Sequence, residues 1–167
     1  MVRVSSSPTA AGVLGSGFAE VVDLPLERRL LAGAGADLNA RDKDLFTPIH
    51  VAAAVGNLAA VAALVDCGAS LTETNLAGNT PLHTATLNGN VDILQEMIES
   101  EAVELDRVNH QGQSALHLAA AEGQQGAVRF LIDHGADINA VDRWGRTPLE
   151  DAVYHNQHTV AALLKLR

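Results

Sequence analysis

The chain has 167 residues, 47% of them apolar, which predicts one domain with a sizeable hydrophobic core. Its 11 Lys and Arg residues against 20 Asp and Glu residues give a formal net charge of −9. This argues against nucleic acid as a partner, because phosphate-tracking surfaces need clustered cations. The single cysteine, Cys67, excludes an internal disulfide and a thiolate-rich zinc site and is typical of a reducing compartment, so we expect an intracellular, cytoplasmic protein.

The first part of the chain, residues 1–23, is predicted to be a disordered leader. Its first 19 residues hold one arginine and no acidic residue, which also suits a transit peptide, but they lack the continuous apolar core of a secretion signal. The longest apolar stretch, 51–65, is interrupted at Gly56-Asn57 and falls short of the roughly 18 to 20 residues that cross a bilayer. No membrane partner is therefore expected.

Four segments of eleven residues resemble one another along the chain. They read TPIHVAAAVGN, TPLHTATLNGN, SALHLAAAEGQ and TPLEDAVYHNQ, and they begin 33, 34 and 33 residues apart, at Thr47, Thr80, Ser114 and Thr147. Four near-copies at an almost constant period indicate a repeat protein.

Each segment predicts a helix from its own residues. The opening hydroxyl residue suits a helix N-cap, and in three copies a proline follows at the first helical position, where no backbone donor is lost. About nine residues later comes a residue that tolerates the left-handed conformation that ends a helix. These residues are Gly56, Gly89, Gly123 and Asn156. A second apolar periodicity then predicts a second helix in each unit, which reads as helix, turn, helix, loop.

These motifs resemble the ankyrin repeat, with its TPLH helix start, its mid-repeat glycine and its closing G-A-D-x-N-A, present here as GADLNA at 35–40 and GADINA at 135–140. The resemblance implies an all-α solenoid of antiparallel helix pairs, with β-hairpin-like loops on one side and a concave face that binds other proteins. It divides the chain into an N-terminal half-repeat cap at 24–41, ankyrin repeats at 42–74, 75–108 and 109–141, and a capping or truncated repeat at 142–167. The loop around 99–104 carries one extra residue and is expected to be reshaped.

Three histidines, His50, His83 and His117, recur at one position of the repeat. A recurrent position indicates architecture, and each imidazole is expected to bond the backbone of the neighbouring loop; a catalytic role is the alternative. His155 and His158 could share a metal, but no third ligand has a reason to converge on them. We therefore predict no catalytic residue, no metal site and no cofactor.

An acidic stretch marks the first two full repeats, where residues 42–107 hold ten acidic and two basic side chains. Its densest part is Asp92, Glu96, Glu99, Glu101, Glu104 and Asp106. These residues follow the solvent-facing phase of a predicted helix, so a solvated face is the plain interpretation. The alternative is a basic protein partner, whose association would slow as salt is added.

The resemblance also implies which positions contact a partner, namely the loop tips and the exposed end of the first helix. On this chain we place them at Lys43, Phe46, Leu76, Asn79, His110, Gln113, Arg143, Trp144, Arg146 and Tyr154. The aromatic and arginine members are the candidates for dominant contacts, because interface energy concentrates in such side chains. Against this, Phe46 could pack under its own loop and Trp144 could cover the edge of the last repeat.

The last predicted helix carries an apolar stripe of Val160, Leu163 and Leu164. Terminal repeats need a polar outer face for solubility, so a stripe without partners in the chain would favour self-association.

The leading functional prediction is a non-catalytic protein-interaction scaffold or adaptor. The alternative is the regulatory ankyrin portion of a larger enzyme or channel, since DRWGRTPLEDA resembles the ankyrin tails of glutaminases, asparaginases and some plant potassium channels. An enzyme in its own right is disfavoured, because no pair of nucleophile and base stands out.

Overall fold

The computed structural model describes residues 37–100 and 103–166. The predicted leader at 1–23 and most of the half-repeat cap at 24–41 lie outside the described residues, as do two residues of the 99–104 loop. The described part contains eight α-helices and no strand: α1 Pro48–Val55, α2 Leu58–Asp66, α3 Pro81–Leu87, α4 Val91–Glu99, α5 Ala115–Glu122, α6 Gln125–Asp133, α7 Pro148–Tyr154 and α8 His158–Lys165.

The helices form four pairs that stack side by side. The first helices of the pairs (α1, α3, α5 and α7) pack against one another in one layer, and the second helices (α2, α4, α6 and α8) pack in another. This is the all-α solenoid that the sequence predicts. One pair falls in each of the intervals 42–74, 75–108, 109–141 and 142–167, whose boundaries stay predictions.

The core combines a row of alanines in the first-helix layer with larger apolar side chains from both layers. The position five residues after the opening hydroxyl residue is an alanine in every pair, at most 1% exposed, which lets the first helices approach closely: Ala52, Ala85, Ala119 and Ala152. The second helices contribute Leu64, Met97 and Leu131, all fully buried. Because each pair buries its apolar faces against its neighbours, the stack shares one continuous core.

The starts of the first helices are fixed by reciprocal caps. Thr47, Thr80, Ser114 and Thr147 occupy the N-cap positions, with extended backbone and a capping box in each case. In the first three pairs the third helical residue is the recurrent histidine, whose Nδ1 accepts the backbone N–H of the cap residue at 3.2 Å. In the last pair Glu150 does the same through Oε2, at 2.8 Å.

The recurrent histidines also tie neighbouring pairs together, as predicted. His50 Nε2 lies 3.0 Å from the carbonyl oxygen of Asn79, His83 Nε2 lies 3.2 Å from that of Gln113, and His117 Nε2 lies 3.0 Å from that of Arg146. Since Nδ1 accepts from a backbone N–H, the proton must sit on Nε2, which donates to the next loop. All three imidazoles are at most 1% exposed.

At the opposite ends of the first helices, glycines contact polar side chains of the following pair. Gly89 and Gly123 have φ of +67° and +73°, a conformation that favours glycine. The amides of Gln124 and Gln157 lie against them and donate to the carbonyl oxygens of Leu87 and Ala121, at 3.2 and 3.1 Å. Each pair is therefore held to the next at both ends of its first helix.

Replacing Gly123 by alanine is expected to lower the free energy of unfolding by about 2 kcal/mol, measured by urea denaturation. A Cβ at this position would lie 2.3 Å from Oε1 of Gln157, so it would displace that side chain as well as strain the backbone. Gly135→Ala is the matched control, because Gly135 also has positive φ, +90°, but has open space around it. Equal losses in the two variants would show that the Gln157 contact contributes nothing.

Candidate partner-binding surface

The four loops that precede the first helices share one construction. A side-chain oxygen of Asp42, Asn75, Asn109 or Asp142 accepts two backbone N–H groups, from residues two and four positions further on, at 2.8–3.0 Å. Such an Asx turn fixes the loop tip without a strand on either side. The sequence identifies these loops through their Asp and Asn residues.

Neighbouring loops are joined by backbone hydrogen bonds, which align their tips in a row. The backbone N–H of Leu76 donates to the carbonyl oxygen of Asp44, that of His110 to the carbonyl of Ala77 and that of Arg143 to the carbonyl of Gln111, at 3.0–3.1 Å. The predicted contact residues Lys43, Leu76, His110 and Arg143 therefore occupy equivalent places along this row. Beside the row lies the layer of first helices, which forms the other wall of the surface.

The ten predicted contact residues differ in accessibility. Exposed are Lys43, Leu76, His110, Arg143, Trp144 and Tyr154. Phe46, Asn79 and Arg146 are half-buried, and Gln113 is 7% exposed. Phe46 packs edge-on against His50 in its own pair, with ring centroids 5.7 Å apart, and the Oδ1 of Asn79 accepts the amide of Asn109. These two side chains are thus partly engaged within the chain.

The structure brings the C-terminal members together in one cluster. The guanidinium carbon of Arg146 lies 4.8 Å from the ring centroids of both Trp144 and Tyr154, and that of Arg143 lies 4.6 Å from the Trp144 ring. At such distances a cation is attracted to the face of an aromatic ring. Trp144 and Tyr154 nevertheless remain 52% and 69% exposed, although both are large apolar side chains.

Two buried carboxylates hold Arg146 in place. Its Nη2 lies 3.1 Å from Oδ2 of Asp142, and its Nε lies 3.2 Å from Oδ1 of Asp151, which also accepts the Gln113 amide through Oδ2 at 3.4 Å. Asp142 and Asp151 are 5% and 0% exposed. Arg146 is therefore the counterion of two acids as well as part of the surface.

The pKa values of the two acids are shifted in opposite directions. Burial tends to raise the pKa of Asp142, but the backbone N–H groups of Arg146 and Trp144, together with the Arg146 guanidinium, outweigh it and lower that pKa. Burial raises the pKa of Asp151, and its contacts with Arg146 and Gln113 offset this only in part. Asp151 is thus the more weakly compensated of the two.

A cavity of about 560 Å³ opens beside this cluster, between the last two pairs. Its lining is Gln111, Gln113, Trp144, Arg146, Tyr154 and His155. Four of these six are among the predicted contact residues. Asp151 contacts two of the lining residues, Arg146 and Gln113, but is not among the predicted residues. The sequence could have indicated it, because it places a carboxylate where the other repeats have Val51, Thr84 and Leu118.

The acidic stretch lies mostly away from the loop row. Asp92, Glu96 and Glu99 are on α4, a second helix, where Asp92 and Glu99 are exposed and Glu96 is half-buried. Glu104 and Asp106 follow that helix and are exposed, and Asp106 accepts the backbone N–H of Asp137 at 2.9 Å. Glu101 lies outside the described residues. Negative charge and the aromatic cavity thus belong to different parts of the molecule.

The apolar stripe of the last helix is largely covered by the chain itself. Val160 is fully buried, Leu164 is 7% exposed and Leu163 is half-buried. Leu166, just after α8, is 87% exposed. Less apolar surface is therefore available for self-association than the sequence suggests.

Residues 37–100 and 103–166 contain neither a cluster of metal ligands nor a helix able to span a membrane. No group of three or more His, Cys, Asp or Glu side chains is arranged to hold a metal ion in this part of the chain, which includes His155 and His158. In the same part, no helix combines the length and the hydropathy that crossing a membrane requires.

Comparison with known proteins identifies the family. The family model described as ankyrin repeats (3 copies) matches residues 19–107 and 101–166. The chain is 36% identical over 116 residues to a transient receptor potential cation channel subfamily A member 1 homolog of Caenorhabditis elegans, covering 70% of this chain and 10% of the relative. It is 38% identical over 124 residues to the mouse B-cell lymphoma 3 protein homolog, covering 72% and 28%.

A further relative is neurogenic locus notch homolog protein 1 of Xenopus laevis, 35% identical over 133 residues, covering 79% of this chain and 5% of the relative. The chain thus spans between 5% and 28% of the length of these three proteins. Ankyrin repeats in general mediate protein–protein interactions. With its four helix pairs and a family match that covers most of its length, this chain belongs to the ankyrin repeat family.

Proposed function

We propose that this protein is a non-catalytic interaction scaffold that binds a partner polypeptide through its loop tips and the exposed ends of its first helices. The observation that carries the proposal is the cluster at the last two pairs, where Trp144 and Tyr154 stay half or more exposed beside a cavity. Large aromatic side chains around a concave site are typical of interface centres.

The charge of the chain bears on how a partner arrives rather than on where it binds. The exposed acids on and after α4 favour the approach of a partner with basic regions. These acids lie in the second-helix layer, so the attraction acts over a distance and is screened within about 8 Å at physiological salt. The binding rate constant should therefore fall with added salt, whereas the bound segment itself contacts the loop row.

The test is affinity capture from an intracellular extract with the full chain and with the Trp144→Ala, Tyr154→Ala double variant. We expect at least one protein to be retained by the wild type and lost from the variant by about tenfold or more, since aromatic anchors often contribute 2 kcal/mol or more. Arg146→Ala is not used in this test, because it would leave Asp142 and Asp151 buried without a cation and so destabilise the fold.

The matched control is Val153→Ala. Val153 is 54% exposed and precedes Tyr154 on the same helix, but it does not line the cavity. Proteins lost equally from both variants would point to general loss of structure. Capture profiles that do not change in the double variant would contradict the proposed surface.

A second candidate is that these repeats are the regulatory part of a larger protein, such as a channel or an amidohydrolase. The similarity to a cation channel homolog, of which the chain spans 10%, favours it. The interaction surface would then engage another part of the same polypeptide. Sequencing full-length transcripts of the locus would test this: one that encodes a membrane or catalytic region supports it, and transcripts without either count against it.

Self-association through the last helix is a weaker candidate, resting on Leu163 and Leu166. Light scattering at high protein concentration would measure it. If the wild type is a monomer at high concentration and Leu166→Asp does not change its stability or solubility, self-association is excluded.

We also propose an intracellular location, which the single cysteine and the family support.

A further inference from the structure

The outer side of the C-terminal cluster carries positive charge although the chain as a whole is acidic. Arg143 is exposed, and no carboxylate of the described residues lies within ion-pair distance of it. Asp142 and Asp151 are buried beneath Arg146 and do not face the solvent. Of the exposed acids on α5 and α7, Glu150 is occupied by the N–H of Thr147, and Glu122 does not line the cavity.

The cavity also offers hydrogen-bond donors to a ligand. Arg146 engages Asp142 through Nε and Nη2 and lies against Asp151 through Nε, so its contacts with the two buried acids leave Nη1 available. Trp144, Tyr154 and Gln111 line the cavity and are exposed, so the indole N–H, the phenol hydroxyl and the side-chain amide are open to a ligand. A guanidinium with one free edge and aromatic walls suits a planar anion on an apolar stem.

We propose that this cavity holds an aspartate or glutamate side chain of an extended partner segment. The carboxylate accepts from Nη1 of Arg146, its methylene groups lie against Trp144 and Tyr154, and Arg143 at the rim adds attraction. This inference rests on the proposed interaction function and specifies the ligand of one subsite. A singly charged carboxylate fits better than a phosphate, because Arg146 is already paired with two buried carboxylates and Arg143 adds only one positive charge that no carboxylate of the described residues pairs with.

The rest of the loop row supports a mainly uncharged partner segment elsewhere. The middle tips carry Leu76, Ala77, His110 and Gln111, and of the four described loops only the first exposes charges of both signs, on Lys43 and Asp44. An acidic residue therefore has one matching place, at the C-terminal end of the row. Basic regions of the same partner would interact with the α4 side.

The experiment uses a displayed library of random peptides about 12 residues long, which is enough to cross two repeats when extended. Peptides are selected on the full chain and tested on Trp144→Ala, Arg143→Gln and Lys43→Gln. Lys43→Gln is the matched control, since Lys43 occupies the loop position equivalent to Arg143 and is also exposed. Trp144 is the single tryptophan of the chain, so its fluorescence reports directly on the cavity.

We expect peptides whose binding is lost in Trp144→Ala to share one Asp or Glu residue. Changing that residue to Gln or Asn should weaken binding about tenfold, as expected for loss of a charge-assisted hydrogen bond. The same change should matter less in Arg143→Gln, whereas Lys43→Gln should behave as the wild type. Binding should also shift the Trp144 emission to shorter wavelength.

Trp144-dependent peptides that share an apolar or basic residue, or whose affinity survives removal of the acid, would overturn this inference and leave the interaction function standing. Leu76→Ala serves as a second test of the loop row. If the selected peptides bind Trp144→Ala and Leu76→Ala as tightly as the wild type, or if no peptide is enriched, both the inference and the proposed surface are contradicted.

Discussion

Replacing Arg146 by alanine is expected to lower the free energy of unfolding by about 3 kcal/mol, because it leaves two carboxylates buried without a cation. Asp142 keeps its backbone donors, whereas Asp151 keeps only the long contact from Gln113. Most of the loss should therefore come from Asp151. Urea denaturation followed by circular dichroism would measure the loss.

Two further variants separate this effect from loss of packing. Arg143→Ala removes the other arginine that contacts Trp144, one that pairs with no carboxylate of the described residues, and it should change stability by no more than about 0.5 kcal/mol. Adding Asp151→Thr to Arg146→Ala should recover about half of the loss, since Thr84 occupies the same repeat position in the second pair. If Arg146→Ala is as stable as Arg143→Ala, the buried pair does not stabilise the fold.

The second large effect concerns His83, whose contribution to stability should vanish in acid. Burial lowers the pKa of His83 from 6.5 to about 4, and its hydrogen bonds to backbone only partly oppose this. Unfolded chains bind a proton on this residue below pH 6.5, whereas the folded chain binds it only near pH 4. The unfolded state therefore binds more protons across this window, and stability falls as the pH falls through it.

The size of this effect follows from the shift. At 1.36 kcal/mol for each pKa unit, His83 alone should account for about 3 kcal/mol lost across the window. His83→Ala should cost about 3 kcal/mol near neutral pH, because it leaves the N–H of Thr80 without an acceptor, removes one of the two hydrogen bonds to the Gln113 carbonyl oxygen and empties the space of a buried ring. The difference in the free energy of unfolding between wild type and His83→Ala should then become smaller as the pH is lowered. Groups that titrate equally in both proteins do not contribute to this difference.

His110→Gln is the control for this prediction. His110 is exposed at a loop tip and its ring bonds no neighbouring carbonyl among the described residues, so its replacement should cost little stability near neutral pH. A gap between wild type and His83→Ala that stays constant from neutral pH to mild acid would contradict the burial of an uncharged imidazole.

The fold could be predicted from the sequence because each of its rules is local and is repeated four times. The hydroxyl caps at Thr47 and Thr80 and the left-handed helix ends at Gly56 and Gly123 depend on neighbours in sequence alone. The period of 33 or 34 residues then indicates that the units stack. The role of the recurrent histidines could be predicted for the same reason, since one position serves one contact in each unit.

The site could be predicted less well, because its contacts join residues from different elements. The resemblance predicts Arg146 as a loop-tip contact residue, but its pairing with Asp151 depends on how the loop folds over α7. Gln113 lies at a contact position in the repeat, yet Asp151 draws its amide inward. Phe46 packs edge-on against the imidazole of His50, whereas the sequence suggested packing under its own loop as the alternative to a partner contact.

The placement of the acidic residues also needed the structure. Their spacing indicates one solvent-facing side of a helix, but it does not indicate whether that side borders the loops. Because α4 belongs to the second-helix layer, the acids and the aromatic cavity are separated by the thickness of a helix pair. Net charge is therefore a poor guide to the ligand of the loop row.

Two of the six residues that line the cavity belong to the third repeat and four to the fourth. These two repeats are held together by the hydrogen bonds of His117 at one end and of Gln157 at the other. Occupation of the cavity is thus coupled to docking of the terminal unit. When that unit swings away, the binding site is divided rather than deformed, so ligand affinity and resistance of the terminal helices to amide exchange should rise and fall together.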